Sequence, residues 1–545
     1  MKRRTLLKNL AKVIPALYLA KADAAGTFFS TAVNNTKAPF NPSWDSLKNY
    51  RTPDWFRDAK FGIWAHWGPQ CQPEHGDWYA RIMYQEGSDD YNFHIKKYGH
   101  PSQFGFKDVI NEFKAENWDP EELVSLYKKA GAKYFFALAN HHDNFDMYHS
   151  KYHNWNAVNI GPKKDIMKGW RKAAKNNDLP FGVSVHAAHA WQFYETSQLA
   201  DTKGPLAGVP YDGKTPKSDG AGKWWDGYDP QELYVQQHAL STKGKKGGGE
   251  QWAWTNGANI PTSEYCELFY NRTIDLIDNY SPDLVYFDDT VLPLYPISDV
   301  GLRIASHFYN SNMKKNGGKL EAVMTGKILN EEQRKCMVWD IERGQSNTIE
   351  PLPWQTDTCI GNWHYDRSVY DNHGYKTAKT VIQTLVDVVS KNGNLLLNIP
   401  VRGDGTIDDQ ERAIVEEIAA WMAINDEGIF GTRPWKIFGE GPATDNPAPI
   451  DNAGFNEGKN KPFTAQDIRF TTKGKTLYVI AMGWPGDSKT IIKNLGSNIP
   501  GTMTINSVEL IGSGPLKYQQ AADALVITLP DNKPTYSYAN IFKIA

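Results

Sequence analysis

The segment Pro282-Asp283-Leu284-Val285-Tyr286-Phe287-Asp288-Asp289 is a short apolar run that ends in two carboxylates. A buried strand that delivers acids at its C-terminal end is where a barrel enzyme keeps its reacting groups, so Asp288 is the candidate nucleophile. The competing reading has both acids capping the loop that follows. Other predicted strand ends supply His66 with Trp67, His141 and His142 with Asp143, His186, and Glu342. If these converge on one mouth, they make a pocket of imidazoles with two carboxylates. Such a pair suits glycoside hydrolysis, where one acid attacks or activates water and the other protonates the leaving oxygen. Imidazoles suit hydroxyl recognition, because a neutral ring both donates and accepts. The same histidines could instead bind a metal, with His186 and His189 the residues that keep this reading alive. However, neighbours such as His141 and His142 at a strand end point to opposite sides, and neither H-x-H nor H-E-x-x-H occurs.

Such residues need a scaffold that brings strand ends together. From about residue 54, apolar runs alternate with amphipathic helical stretches, the pattern of an α/β fold with a parallel sheet. Strands are predicted at 61–66, 134–139, 181–186, 284–288, 322–325, 338–342 and 394–399. Helices are predicted at 119–130, 263–278, 377–390 and 409–424. The first of these opens with Asp119-Pro120, a cap followed by a favoured first helical residue. Seven or eight such units suit a (β/α)8-like TIM barrel better than an open sheet. Residues 196–260 interrupt the alternation with Gly-, Lys- and Trp-rich sequence, a candidate lid or extended substrate surface on the active-site face. After Pro434, short alternating runs separated by Gly, Asn and Pro predict an all-β sandwich. The expected division is a signal peptide over 1–24, a linker over 25–53, the catalytic barrel over 54–432 and the sandwich over 433–545.

Composition narrows the class of partner. The 545 residues carry 60 basic and 62 acidic side chains, a net charge of −2, which argues against nucleic acid or an anionic membrane. The 19 Trp and 27 Tyr supply faces on which sugars stack. Four cysteines, widely spaced and without C-x-x-C, predict neither a zinc site nor a disulfide scaffold. Lys2-Arg3-Arg4-Thr5-Leu6-Leu7-Lys8, a modestly apolar run and Ala22-Asp23-Ala24 read as a twin-arginine export signal, predicting a periplasmic or secreted bacterial protein. No later apolar run has the ~20 residues that a spanning helix needs.

Six ordered motifs carry a resemblance. They are KFGIWAHWGP (60–69), Asp77-Trp78-Tyr79, ANHHDNFDMYHSKYHNWN (139–156), SPDLVYFDD (281–289), PWQTDTCIGNWHY (353–365) and SKNGNLLLNIPVRGDGTID (390–408). Their order resembles that of family 29 glycoside hydrolases, the α-L-fucosidases, over residues 54 to about 436. The resemblance implies a barrel followed by a sandwich and a retaining double displacement without metal or organic cofactor. It makes Asp288 the nucleophile and His66, Trp78, His141 and His142 hydroxyl-binding residues. Glu342 is the first choice for the acid/base, with Glu350 and Glu332 as fallbacks, and Glu342 paired with Arg343 as the alternative. Asp77 stands where the family commonly has Glu, Tyr286 where many members have Trp, and His186 in a region that commonly reads Tyr-Tyr-Ser. All three are sugar-contact candidates, and the changes could shift preference from fucose towards L-galactose. The expected partner is a fucosylated oligo- or polysaccharide. The lysines of the insertion (Lys203, Lys214, Lys217, Lys223, Lys243, Lys245 and Lys246) would suit a sulfated one. The alternatives are an α-L-galactosidase on the same scaffold and a non-catalytic carbohydrate-binding protein.

Overall fold

The computed structural model describes residues 39–241, 254, 260–445, 447–450 and 455–545. Eight parallel strands close into a barrel in chain order: β1 (Phe61–Ala65), β2 (Phe135–Asn140), β3 (Phe181–Val185), β4 (Leu284–Phe287), β5 (Val323–Gly326), β6 (Val338–Glu342), β7 (Trp354–Cys359) and β8 (Gly393–Asn398). β8 pairs with β1, Leu395 opposite Phe61 and Leu397 opposite Ile63, which completes the ring. The main helices around it are α1 (Pro120–Lys129), α2 (Ile166–Asn176), α3 (Ser263–Tyr280), α4 (Val300–Lys315), α5 (Ala378–Ser390) and α6 (Asp409–Asn425). Short connections follow β5 and β6, without an α-helix among the described residues.

The local chemistry explains these elements. Asp119 accepts from the amides of Glu121 and Glu122, Pro120 takes the first position of α1, and Lys128 and Lys129 sit in its last turn, opposite the negative end of the dipole. Its buried face is Leu123, Val124, Leu126 and Tyr127. β8 is buried throughout, and the asparagines near its ends hold the surrounding backbone. Asn394 donates to the Phe56 carbonyl at 2.7 Å, and Asn398 accepts from the His66 amide at 2.9 Å and donates to the Trp363 carbonyl at 2.9 Å. The strand absent from the sequence reading is β7. Its residues Gln355, Thr356, Asp357 and Thr358 look like loop, yet all are buried, with Gln355 and Thr356 bonded to Asp340 and to the Ile341 carbonyl of β6. Trp354 is core, with its indole N–H on the Lys391 carbonyl.

The insertion is ordered by long-range contacts over the residues that are described. Where it is described it is a run of short helical turns tied down by acids. Asp201 accepts from Tyr91, Tyr211 and His100, and Asp212 accepts from Tyr84, Tyr234 and Lys107. Lys203, Lys214, Lys217 and Lys223 are exposed on it, and Lys243, Lys245 and Lys246 lie outside the described residues. So does the expected signal peptide.

Beyond Arg433 the chain forms two antiparallel sheets. One has six strands in the order β14 (Gly514–Pro515), β13 (Val508–Leu510), β17 (Asn540–Ile544), β11 (Thr476–Ala481), β10 (Ile468–Lys473), β9 (Arg433–Glu440). The other has three, in the order β12 (Lys489–Ile492), β16 (Leu525–Thr528), β15 (Tyr518–Gln520). Phe470, Val479 and Phe542 of the first meet Ile492, Leu525 and Ile527 of the second in one core. Against the barrel, Asp387 on α5 accepts from Arg469 on β10 and from Lys391, at 2.5 and 2.6 Å. Glu457, from the segment between β9 and β10, accepts from Arg343 and Thr358 just past β6 and on β7. The four cysteines are buried and free. No helix among the described residues is long and apolar enough to cross a membrane.

Candidate active site

The parallel ladder sets the height of each strand end. Asp288 follows β4 directly, and its amide donates to the Val185 carbonyl at 3.3 Å, which levels it with the end of β3. His186, the next residue after β3, is fixed by its amide on Asn140. Both side chains therefore face one mouth. His142 Nε2 and His186 Nδ1 lie 3.1 and 3.3 Å from Asp288 Oδ2. Lys327, the residue after β5, places Nζ 2.5 Å from Asp288 Oδ1 and 2.5 Å from Glu342 Oε2 at the end of β6. Those carboxylate oxygens are thus no more than about 5 Å apart, nearer the ~5–5.5 Å spacing of carboxyl groups in retaining glycosidases than the wider spacing of inverting ones.

Burial would push the Asp288 carboxyl up, but the Lys327 charge and the contacts with His142 and His186 outweigh it, leaving Asp288 well below the usual carboxylate range. Lys327 shows the mirror case. Burial would lower it, while Asp288 and Glu342 hold it well above its ordinary value, so it stays charged. Glu342 makes its ion pair with Lys327, not with Arg343, whose guanidinium goes to Glu457.

Around this pair the imidazoles form a nest. His66, His141, His186 and His364 have ring centroids 4.6 to 5.1 Å apart where they touch. All are buried, and burial with like neighbours lowers His66 and His141 well below the ordinary histidine range and His186 to about 4. His66, His141 and His186 are therefore neutral at neutral pH. His142 Nδ1 donates to the His186 carbonyl at 2.7 Å, so in the neutral ring Nε2 carries only a lone pair. It donates to Asp288 when the ring holds a second proton. Burial opposes that state and Asp288 favours it, with a net lowering.

His66 Nδ1, His186 Nε2 and His364 Nε2 are buried without a hydrogen-bond partner among the described residues. Orphaned buried polar atoms cost about 1–3 kcal/mol each, which makes the nest a receptor for a ligand rich in hydroxyls. His66, His141 and His186 also bring one nitrogen each within 4.8 Å of the others, as His142, His186 and Asp288 bring one ligand atom each. In the second group the two ring nitrogens already face a single carboxylate oxygen.

The remaining predicted residues support the mouth in different ways. Asp77 accepts from the His364 amide at 2.7 Å and so holds that ring in the nest. Trp78 is half-buried in a left-handed backbone conformation, with Phe193 edge-on to its ring. Tyr286 is buried in the floor, its hydroxyl donating to Asp357 at 2.6 Å, so it reaches the mouth through the face of its ring beneath Lys327. Asp289 accepts from the Thr290 and Leu294 amides and shapes the loop. Of the fallback acids, Glu350 pairs with Arg334 and Glu332 with Lys335 and Lys48. The sequence reading missed Lys327 and His364. Lys327 follows the predicted fifth strand, so the strand-end rule would have found it, and His364 stood unremarked in PWQTDTCIGNWHY.

A parallel barrel with two carboxylates and a nest of hydroxyl-binding groups at the C-terminal ends of its strands is the architecture of a glycoside hydrolase. Residues 27–427 match the family model for alpha-L-fucosidase, and residues 460–545 match that for the alpha-L-fucosidase C-terminal domain. The chain belongs to the alpha-L-fucosidase family. It is 26% identical to the tissue alpha-L-fucosidase of Rattus norvegicus over 508 residues, covering 91% of this chain and 89% of that one. To the human tissue enzyme it is 25% identical over 514 residues, with 91% and 89% covered. The solved structure of the Thermotoga maritima alpha-L-fucosynthase shares the fold, with a TM-score of 0.67 at 23% identity over 93% of this chain and 100% of that chain.

Proposed function

We propose that the protein is an exo-acting, retaining α-L-fucosidase in which Asp288 is the nucleophile and Glu342 the acid/base. The observation that carries this is the pairing of Asp288 and Glu342 across Lys327, with their oxygens within about 5 Å, at a mouth lined by imidazoles. Asp288, held ionised, attacks the anomeric carbon as Glu342 gives its proton to the leaving oxygen. Water, deprotonated by Glu342, then displaces Asp288, and two inversions leave the configuration unchanged. The unpartnered nitrogens of His66, His186 and His364, with His141, take up hydroxyls of a terminal sugar. Their near-complete burial suits a chain end. Asp77 and Tyr286 act through His364 and the pocket floor, and Trp78 borders the mouth.

The test is hydrolysis of nitrophenyl α-L-fucoside and α-L-galactoside by the parent and Asp288→Ala enzymes in chelator. Fucose released with retained configuration, and lost in the variant, is the expected result. Preference for the galactoside would move the sugar and keep the chemistry. Activity that chelator removes would overturn the metal-free mechanism, and binding without turnover on either glycoside would make the protein a lectin-like relative. We propose export on the twin arginine at Arg3-Arg4, which cell fractionation and N-terminal sequencing of the mature protein would check.

A further inference from the structure

An acid that is ion-paired with a lysine is poorly placed to give up a proton, because an adjacent ammonium favours its ionised form. In this mouth one lysine faces both the proposed nucleophile and the proposed acid. We propose that Lys327 is a positioning residue that serves as a shared counter-ion, neutralising Asp288 before attack and Glu342 after it, without leaving its place. The inference rests on the double displacement proposed above.

The geometry is specific. Nζ lies 2.5 Å from one oxygen of each acid, and the lysine side chain is only 10% exposed. His142 and His186 face the other oxygen of Asp288, so the ammonium has one oxygen of Asp288 to itself. Oε1 of Glu342 has no hydrogen-bond partner among the described residues, and the side chain is 19% exposed. The other groups facing Lys327 are Asp340 on β6, Asp357 on β7 and the ring of Tyr286 on β4. Asp340 and Asp357 lie beneath it, engaged by Gln355 and Tyr286. Burial and their mutual repulsion push Asp357 well above the usual range, and burial pushes Asp340 to about 6. The lower pair thus retains a proton at neutral pH and competes less for the ammonium.

The charges can be followed through both steps. With substrate bound, Asp288 is ionised, Glu342 is protonated, and Lys327 balances Asp288. A bond forms from a carboxylate oxygen of Asp288 to the anomeric carbon, the bond to the leaving oxygen breaks, and that oxygen takes the Glu342 proton. Asp288 is now a neutral ester and Glu342 a carboxylate, so the negative charge has crossed to the other side of the same ammonium. In the second step the oxygen of water bonds to the anomeric carbon, the ester electron pair returns to Asp288, and the water proton goes to Glu342. One carboxylate charge faces Lys327 at every stage. A neutral residue here would leave that charge unpaired in a buried site, which is costly.

The test compares Lys327→Met with Lys327→Arg, using nitrophenyl α-L-fucoside across pH. For the methionine variant we expect kcat to fall by about 10²-fold or more with KM changed less. The acid limb of kcat/KM should move up by about one to three pH units, the size of shift expected when an opposite charge is removed from beside a carboxylate. The arginine variant keeps the charge and should return the limb to within half a unit of the parent. A folded methionine variant with the parental acid limb and kcat would overturn the inference, as would an arginine variant that behaves like methionine. If the methionine variant does not fold, Lys327→Gln supplies the neutral side chain and is read in the same way. If Asp288→Ala keeps its turnover, the double displacement itself fails. If only the Lys327 variants match the parent, the failure belongs to the counter-ion alone.

Discussion

Two buried clusters among the described residues share one plan, a lysine between two carboxylates, and use it in opposite ways. Beneath the insertion, Lys107 bridges Asp108 and Asp212 at 2.7 and 2.8 Å. At the mouth, Lys327 bridges Asp288 and Glu342. In the first trio every carboxylate oxygen is spoken for: Asp108 accepts also from the Gly105 amide and the Trp224 indole, Asp212 from Tyr84 and Tyr234. In the second, Glu342 Oε1 has no hydrogen-bond partner among the described residues, both acids are 19% exposed, and the surrounding imidazoles carry nitrogens without one. What separates a structural ion cluster from a reactive one here is saturation of its hydrogen bonds, not the identity of the charged groups.

The sharpest test exchanges the roles. Asp288→Asn should reduce turnover of an aryl fucoside by about 10⁴-fold while leaving the thermal midpoint close to that of the parent. Comparable loss of folding in that variant would break the distinction. Asp212→Asn should do the reverse. Breaking a buried pair leaves Lys107 partly unbalanced and should cost about 3–5 kcal/mol in urea unfolding, with KM and kcat of the folded fraction unchanged.

The nest should also appear in the pH dependence of stability. His186 sits at about 4 in the folded protein, with burial as its largest cause, against about 6.5 in the unfolded chain. The unfolded state binds the proton first, so this contribution is full above about pH 6.5 and is lost as pH falls towards 4. It amounts to about 3 kcal/mol, read as the difference in acid-side slope of unfolding free energy between parent and His186→Gln. Equal slopes would mean that the ring is not held neutral. Smallest is Trp224→Phe, which removes one hydrogen bond to Asp108 and should cost about 1 kcal/mol with no kinetic effect. A fall in kcat would show that the insertion and the mouth are coupled after all.

Much of this was legible in the sequence, for a physical reason. β1 to β4 and β8 carry enough Val, Leu, Ile, Phe or Ala to betray burial, β5 and β6 carry Val323-Met324 and Val338-Trp339, and the ends of these strands name most of the mouth. β7 escaped because Gln355 and Asp357 point polar groups into the barrel, where Asp340 and Tyr286 bond to them. Composition cannot distinguish such a strand from a loop. The turns of the insertion left no pattern for a related reason: where it is described, its order comes from tyrosine–aspartate contacts across distant segments, such as Tyr84 with Asp212, which leave no periodicity. Tyr286 spends its hydroxyl on Asp357, and one oxygen of Asp77 accepts from the His364 amide, neither of which residue type and spacing reveal.

The six-stranded sheet has a further consequence for synthesis. β17 lies between β11 and β13, pairing Val479 with Phe542 on one side and Leu510 with Phe542 on the other. The strand made latest is thus the one that joins the sheet's two halves. Until residues 540–544 emerge from the ribosome, β11 and β13 each present an open edge, the kind of surface that recruits foreign strands. The barrel needs only residue 398 to close, so it can fold while translation continues. The sheet must wait, and the interval between the two events is when the nascent chain is most exposed to misassembly.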